Sequence, residues 1–165
     1  MFGVGKIDAL ISRISSHKPS LQSSIASITA LVEHHGNISE RYRARQDREL
    51  VRIEADIGMV SGWYQNKECQ QTNYEQIIKD LNGCGTRLIF LENIIDFEIS
   101  AGNFCKETLE LFESLRKSRG LEQLSLPDYE ETMQNLDFHI NLADRRRVQT
   151  KSLAKRVQMQ LTVVG

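Results

Sequence analysis

The side chains of this chain whose types could do chemistry are four histidines, three cysteines and two runs of arginine and lysine. His34 and His35 could hold zinc as neutral imidazoles, but neighbours on a helix point about 100° apart. Both would reach one ion only where a helix ends between them. His17 and His139 lie far away in sequence, and no carboxylate stands at i+4 on the same face to complete a ligand set. Cys69, Cys84 and Cys105 are odd in number and show neither CxxC nor CxxH spacing, which argues against a disulfide framework or a zinc knuckle and for plain cytosolic thiols. A Cys nucleophile with a His base is built in space, and no spacing here favours one. Gly83-Cys84-Gly85 lacks the preceding strand of a phosphate loop, and there is no HExxH, Walker lysine, GxSxG or EF-hand pattern. The expectation is a non-enzymatic protein with no catalytic residue, no metal, no cofactor and no small-molecule substrate.

The basic runs are the remaining chemistry. Arg41, Arg43, Arg45, Arg48 and Arg52 could form a phosphate-binding face, yet Asp47 and Glu49 are interspersed among them. Such a mixture reads as a solvated face laced with local ion pairs. The second run, Arg145, Arg146, Arg147, Lys151, Lys155 and Arg156, has three readings: pairing with an acidic stretch, attraction to an anionic membrane surface beside the last helix, or nucleic-acid binding. The acidic stretch is Glu92, Asp96, Glu98, Glu107, Glu110 and Glu113, where Lys106 is the sole base. A formal charge of -1 and a pI near 6.4 give no global pull toward nucleic acid, so intramolecular or solvated charge leads, lipid follows and nucleic acid comes last.

These groups must be carried by helices. Forty per cent apolar and 26% charged residues, with two prolines and 7% aromatics, describe a soluble chain of one domain's size that favours helix over sandwich or barrel. The organising stretch is Asp128 to Val164. From Met133 its seam runs Leu136, Ile140, Ala143, Arg147, Thr150, Ala154, Val157, Leu161 and Val164, in steps of three and four, as in a heptad pattern. A continuous helix there would be about 55 Å long, and only other long helices could cover its stripe. Leu136, Ile140, Ala143, Val157 and Leu161 are the expected interaction seam.

Residues 4 to 34 read as one or two amphipathic helices with stripes Ile7, Leu10, Ile11, Ile14 and Leu21, Ile25, Ile28, Leu31, Val32, punctuated by Pro19 and stopped at Gly36. Their serine content predicts loose docking, so the domain expectation is a loosely docked 1–36 and a bundle core over 37–165. A second helix starts at Asn37 and should run to Ile57, with Gly58 just past its end. Residues 58 to 71 form a loop in which Trp63 plugs a gap between helices or anchors a ligand or partner. Thr72-Asn73-Tyr74-Glu75 fits a capping box. The helix beyond it carries Ile77, Leu81, Cys84, Leu88, Leu91 and Ile95, while Ile89, Phe90 and Phe97 spread apolar surface to other faces, which predicts a core helix buried by several neighbours. Gly83 and Gly85 imply a kink or a close crossing, Ala101-Gly102-Asn103 a break, and Gly120 a C-terminal stop after Arg116, Lys117 and Arg119. Ser125 is the expected cap of the final helix. The fold class is therefore all-α: an elongated bundle of four to five helices with coiled-coil-like long members.

No run approaches the ~20 apolar residues of a membrane span, and the ending Leu161-Thr162-Val163-Val164-Gly165 reads as a chain cut short or a last turn that frays. Arg48-Glu49-Leu50-Val51-Arg52-Ile53-Glu54-Ala55-Asp56-Ile57-Gly58 with Trp63, then Leu88-Ile89-Phe90-Leu91-Glu92, then Arg147-Val148-Gln149-Thr150 and Arg156-Val157-Gln158-Met159-Gln160-Leu161, resemble fungal CorA-like proteins, which place long cytosolic helices ahead of a membrane hairpin and are described as similar to divalent-metal transporters. The resemblance covers roughly residues 45 to 164. It implies a cytosolic, membrane-proximal helical region with a structural, regulatory or oligomerising role. The Gly-Met-Asn pore signature and both membrane helices of that family are absent from this sequence, so no transport residue carries over. The partner expected is protein, either a second copy or a helical partner; an adaptor that binds a partner helix and a phosphate or nucleic-acid binder are the alternatives. The location expected is cytoplasmic, with membrane association if the chain belongs to a longer product.

Overall fold

A computed structural model describes residues 21–58 and 73–164. They form three α-helices: α1 (Leu21–Asp56), α2 (Tyr74–Ser118) and α3 (Leu126–Val164). No strand occurs among the described residues. The all-α expectation holds; the described residues supply three helices, fewer breaks than the glycines in the sequence suggested, and the four or five expected are not confirmed. Gly36 and the Ala101-Gly102-Asn103 triplet lie inside α1 and α2, and α2 runs unbroken for 45 residues. A single glycine costs a helix only about 1 kcal/mol relative to Ala, which packing offsets: Gly36 and Gly102 are both buried. The capping residue Ser20, the first apolar stripe, the loop with Trp63, and Thr72 lie outside the described residues.

The ends follow local chemistry. Asn73 caps α2, its Oδ1 accepting from the Gln76 amide at 3.1 Å, so the expected boundary is right while the observed cap is the residue after Thr72. At the other end Gly120 has φ +65°; its amide donates to Lys117 O at 3.2 Å and that of Leu121 to Arg116 O at 3.0 Å. This is the paired 5→2 and 6→1 closure of a helix by a left-handed glycine. Gly58, φ +81°, ends α1 one residue earlier than expected. Ser125 caps α3 by accepting from the Asp128 amide at 3.3 Å.

Contacts divide the chain into two compact units, one of Met1–Ile38 and Asp96–Asp144, the other of Ser39–Ile95 and Arg145–Gly165. In the second unit the buried core is Leu50 and Ile53 from α1, Ile77, Leu81, Cys84 and Leu88 from α2, and Leu153 and Val157 from α3, with Ile57, Ala154, Leu161 and Val164 packed on it. Here α2 runs against both neighbours. Arg87 Nε donates to Gln46 at 2.8 Å while Arg52 lies 3.7 Å from Asp80, and Lys151 meets Glu92 while Val157 lies beside Gly85. In the first unit Leu109, Leu136 and Ala143 are buried, Ile140 packs on Gly102, and Lys106 pairs with Asp137.

Candidate functional site

The predicted seam of the last helix is internal packing within the units. Leu136 and Ala143 are buried and Ile140 is half-buried against α2 in the first unit. Val157 is buried and Leu161 packs on the core in the second. Thr150, a polar residue within the seam, is fully buried and closes its hydroxyl on Arg146 O at 2.8 Å, so the buried donor is satisfied within its own helix.

The basic run is scattered round α3. Arg145, Lys151 and Lys155 are exposed, Arg147 is half-buried and Arg146 is buried. Lys151 Nζ stands 3.2 Å from Glu92, one meeting of the kind expected between the run and the acidic stretch. Arg156 goes to α1: it donates to Asp47 at 3.0 Å and to both oxygens of Glu54 at 3.2 and 2.6 Å, and Gln160 adds a donor to Glu54 at 3.3 Å. The forked guanidinium matches a carboxylate with two parallel donors, and the Glu54 hydrogen bonds push the Arg156 pKa up from its ordinary value. Asp47, Glu54 and Gln160 were not picked out by the sequence pattern, because such pairs join residues about a hundred positions apart. On α1 itself Arg43 clasps Glu40 at 2.7 and 3.0 Å and Arg52 reaches Glu49 at 3.3 Å. Of the α1 arginines, Arg43 and Arg52 thus sit in local ion pairs of the kind expected.

Among the described residues no three His, Cys, Asp or Glu side chains come together to hold a metal ion, and no described helix is long and apolar enough to cross a membrane. Burial pushes the Cys84 and Cys105 thiols up from their ordinary pKa, which makes both poor nucleophiles near neutral pH.

The surface that stands out is on α2. The expectation that its apolar residues would be buried on several faces is not met: Ile89, Phe90 and Phe97 are exposed. In the first unit Phe97, Phe104, Leu111 and Leu115 are 66, 67, 61 and 45% exposed. Steps of seven residues return to nearly one helix face, and eighteen residues are five whole turns, so these four form one stripe about 27 Å long at 1.5 Å per residue, with Ala101 and Thr108 between them. Asp96, Glu107 and Glu110, all exposed, border it along one edge. Single exposed apolar side chains are ordinary; here four stand in one row. The sevenfold spacing from Phe90 through Phe97 and Phe104 to Leu111 was present in the sequence as the signal for it.

No family model matches this chain, and no curated protein or solved structure matches it.

Proposed function

We propose that this chain is a non-enzymatic helical module that works by offering helix surface to another protein, a helical partner or a second copy. It is read as similar to the cytosolic, membrane-proximal region of fungal CorA-like proteins, on the strength of the phrases around Arg48–Gly58, Leu88–Glu92 and Arg147–Leu161. The observation that carries the proposal is the exposed stripe Phe97, Phe104, Leu111 and Leu115. An amphipathic helix recognises such a row through anchors spaced i, i+3, i+4 and i+7. Arg156 and Lys151 of the α3 run and Arg52 of the α1 run already have carboxylate partners, which speaks against either run as an open phosphate cradle.

The test is a photo-crosslinking side chain placed at Phe104 in cells that express the chain. Capture of a defined protein, abolished by Phe97→Glu and Leu111→Glu, is the expected result. Crosslinks that persist unchanged in those variants, or none at this position while α3 captures a partner, would overturn it.

A further inference from the structure

The twenty residues ahead of α1 carry a stripe of their own: Val4, Ile7, Leu10, Ile11 and Ile14 fall on one face at helical spacing. Lys6 and Arg13 stand along one border of that face, with Asp8 as the sole acid before Leu21. The α2 stripe of the first unit has the opposite border, Asp96, Glu107 and Glu110. Two copies of the α2 stripe laid antiparallel would bring acidic edges together, whereas the leading segment in that orientation meets the edge with lysine and arginine. It is also tethered: it leads directly into α1 of the same unit, so its local concentration at the face exceeds that of any dilute free partner.

We propose that residues 4–17 dock as an amphipathic helix on the Phe97–Phe104–Leu111 face of α2 and act as its intramolecular occupant, which a partner helix must displace. This rests on the reading of that face as a helix-docking surface. Ile7, Leu10, Ile11 and Ile14 supply the anchors, and Lys6 and Arg13 set the side on which the segment lies.

The full chain tests it by disulfide trapping. In a background with Cys69 and Cys105 changed to serine and Cys84 left buried, Ile11→Cys is paired with Phe104→Cys. These are the middles of the two stripes and meet whichever way the segment runs. The expected result is a disulfide within one chain that forms about tenfold or more faster in native buffer than in denaturant, the tether being common to both conditions. Adding Lys6→Glu and Arg13→Glu should slow it, and further adding Glu107→Lys and Glu110→Lys should restore it, with circular dichroism showing helix content retained throughout. Disulfide between chains would overturn the intramolecular occupant while leaving the face a docking surface for a second copy. A native rate equal to the denatured one would also overturn it, and photo-capture at Phe104 would then decide separately whether the face docks anything.

Discussion

A Cβ built on Gly102 would stand 2.6 Å from Cγ1 of Ile140, closer than real side chains come, so α2 and α3 of the first unit approach each other through the absence of a side chain. Alanine normally strengthens a helix interior by about 1 kcal/mol over glycine. At position 102 the sign should reverse, because Cγ1 is held close to its own backbone and cannot swing away. Gly102→Ala is expected to cost about 1–3 kcal/mol by overpacking, and Ile140→Ala in the same chain should recover part of the loss. Gly83→Ala and Gly85→Ala are the controls: their Cβ atoms would meet Arg87 Nη1 at 3.4 Å and Val157 Cγ1 at 3.6 Å, so each should gain up to about 1 kcal/mol. Urea unfolding of the three variants checks the order.

Gly102 also shows where the sequence stopped being legible. The helical class, the capped starts at Tyr74 and Ser125, the stops at Gly58 and Gly120, and the α2 seam from Ile77 through Leu88 all follow from local rules that need no tertiary contact. Glycine carries opposite meanings, breaker or close-packing site, and spacing does not separate them: Gly36 and Gly102 were read as stops and are buried in helices, while the close crossing expected at Gly83 or Gly85 occurs at Gly102. The ion pairs were hidden for a related reason. Arg156 could have faced any acid, and its choice of Asp47 and Glu54 depends on helix register.

Leu88 and Phe90 are two positions apart on α2 and illustrate the two kinds of apolar residue it carries. Leu88 has no exposed surface and lies in the second unit's core, while Phe90 is 66% exposed. Leu88→Ala should cost about 2–5 kcal/mol. Phe90→Ala should fall within about 0.5 kcal/mol, although phenylalanine is the larger side chain. Chemical denaturation with circular dichroism distinguishes them.

Cys84 should be silent to thiol reagents until the chain unfolds. It is fully buried and its thiol is pushed up by that burial, so both access and thiolate fraction are low. Cys105 is half-buried and shifted the same way, so it should react more slowly than a free thiol but ahead of Cys84. Timed alkylation with peptide mapping checks the order; early labelling of Cys84 would contradict the core assigned to the second unit.

Glu40 contributes to stability on the acid side. The Arg43 hydrogen bond, its largest influence, holds its carboxyl below the ordinary value against the opposing effect of burial. A lowered folded-state pKa gives stability that is present above the unfolded value and is lost as pH falls through the folded one. Glu40→Gln should therefore flatten the acid limb of the stability curve below about pH 4.5, leaving neutral stability changed by under about 1 kcal/mol, since the side chain is partly exposed and the pair screened. Urea midpoints at pH 3 to 7 measure it.

Arg156 is the opposite case, a pair whose acid is covered. Its fork holds both oxygens of Glu54 and reaches Asp47, and the Glu54 side chain is 12% exposed. Arg156→Met keeps much of the apolar stem but leaves the carboxylate with the Gln160 donor on Oε1 alone, and an acceptor such as Oε2 left unpaired in a covered position costs about 1–3 kcal/mol. Glu54→Gln in the Arg156→Met chain removes the stranded charge and should recover stability, so the double variant lies well above the sum of the two single losses. A double-mutant cycle from urea unfolding gives that coupling. Additive losses would mean that the two groups meet without stabilising the second unit.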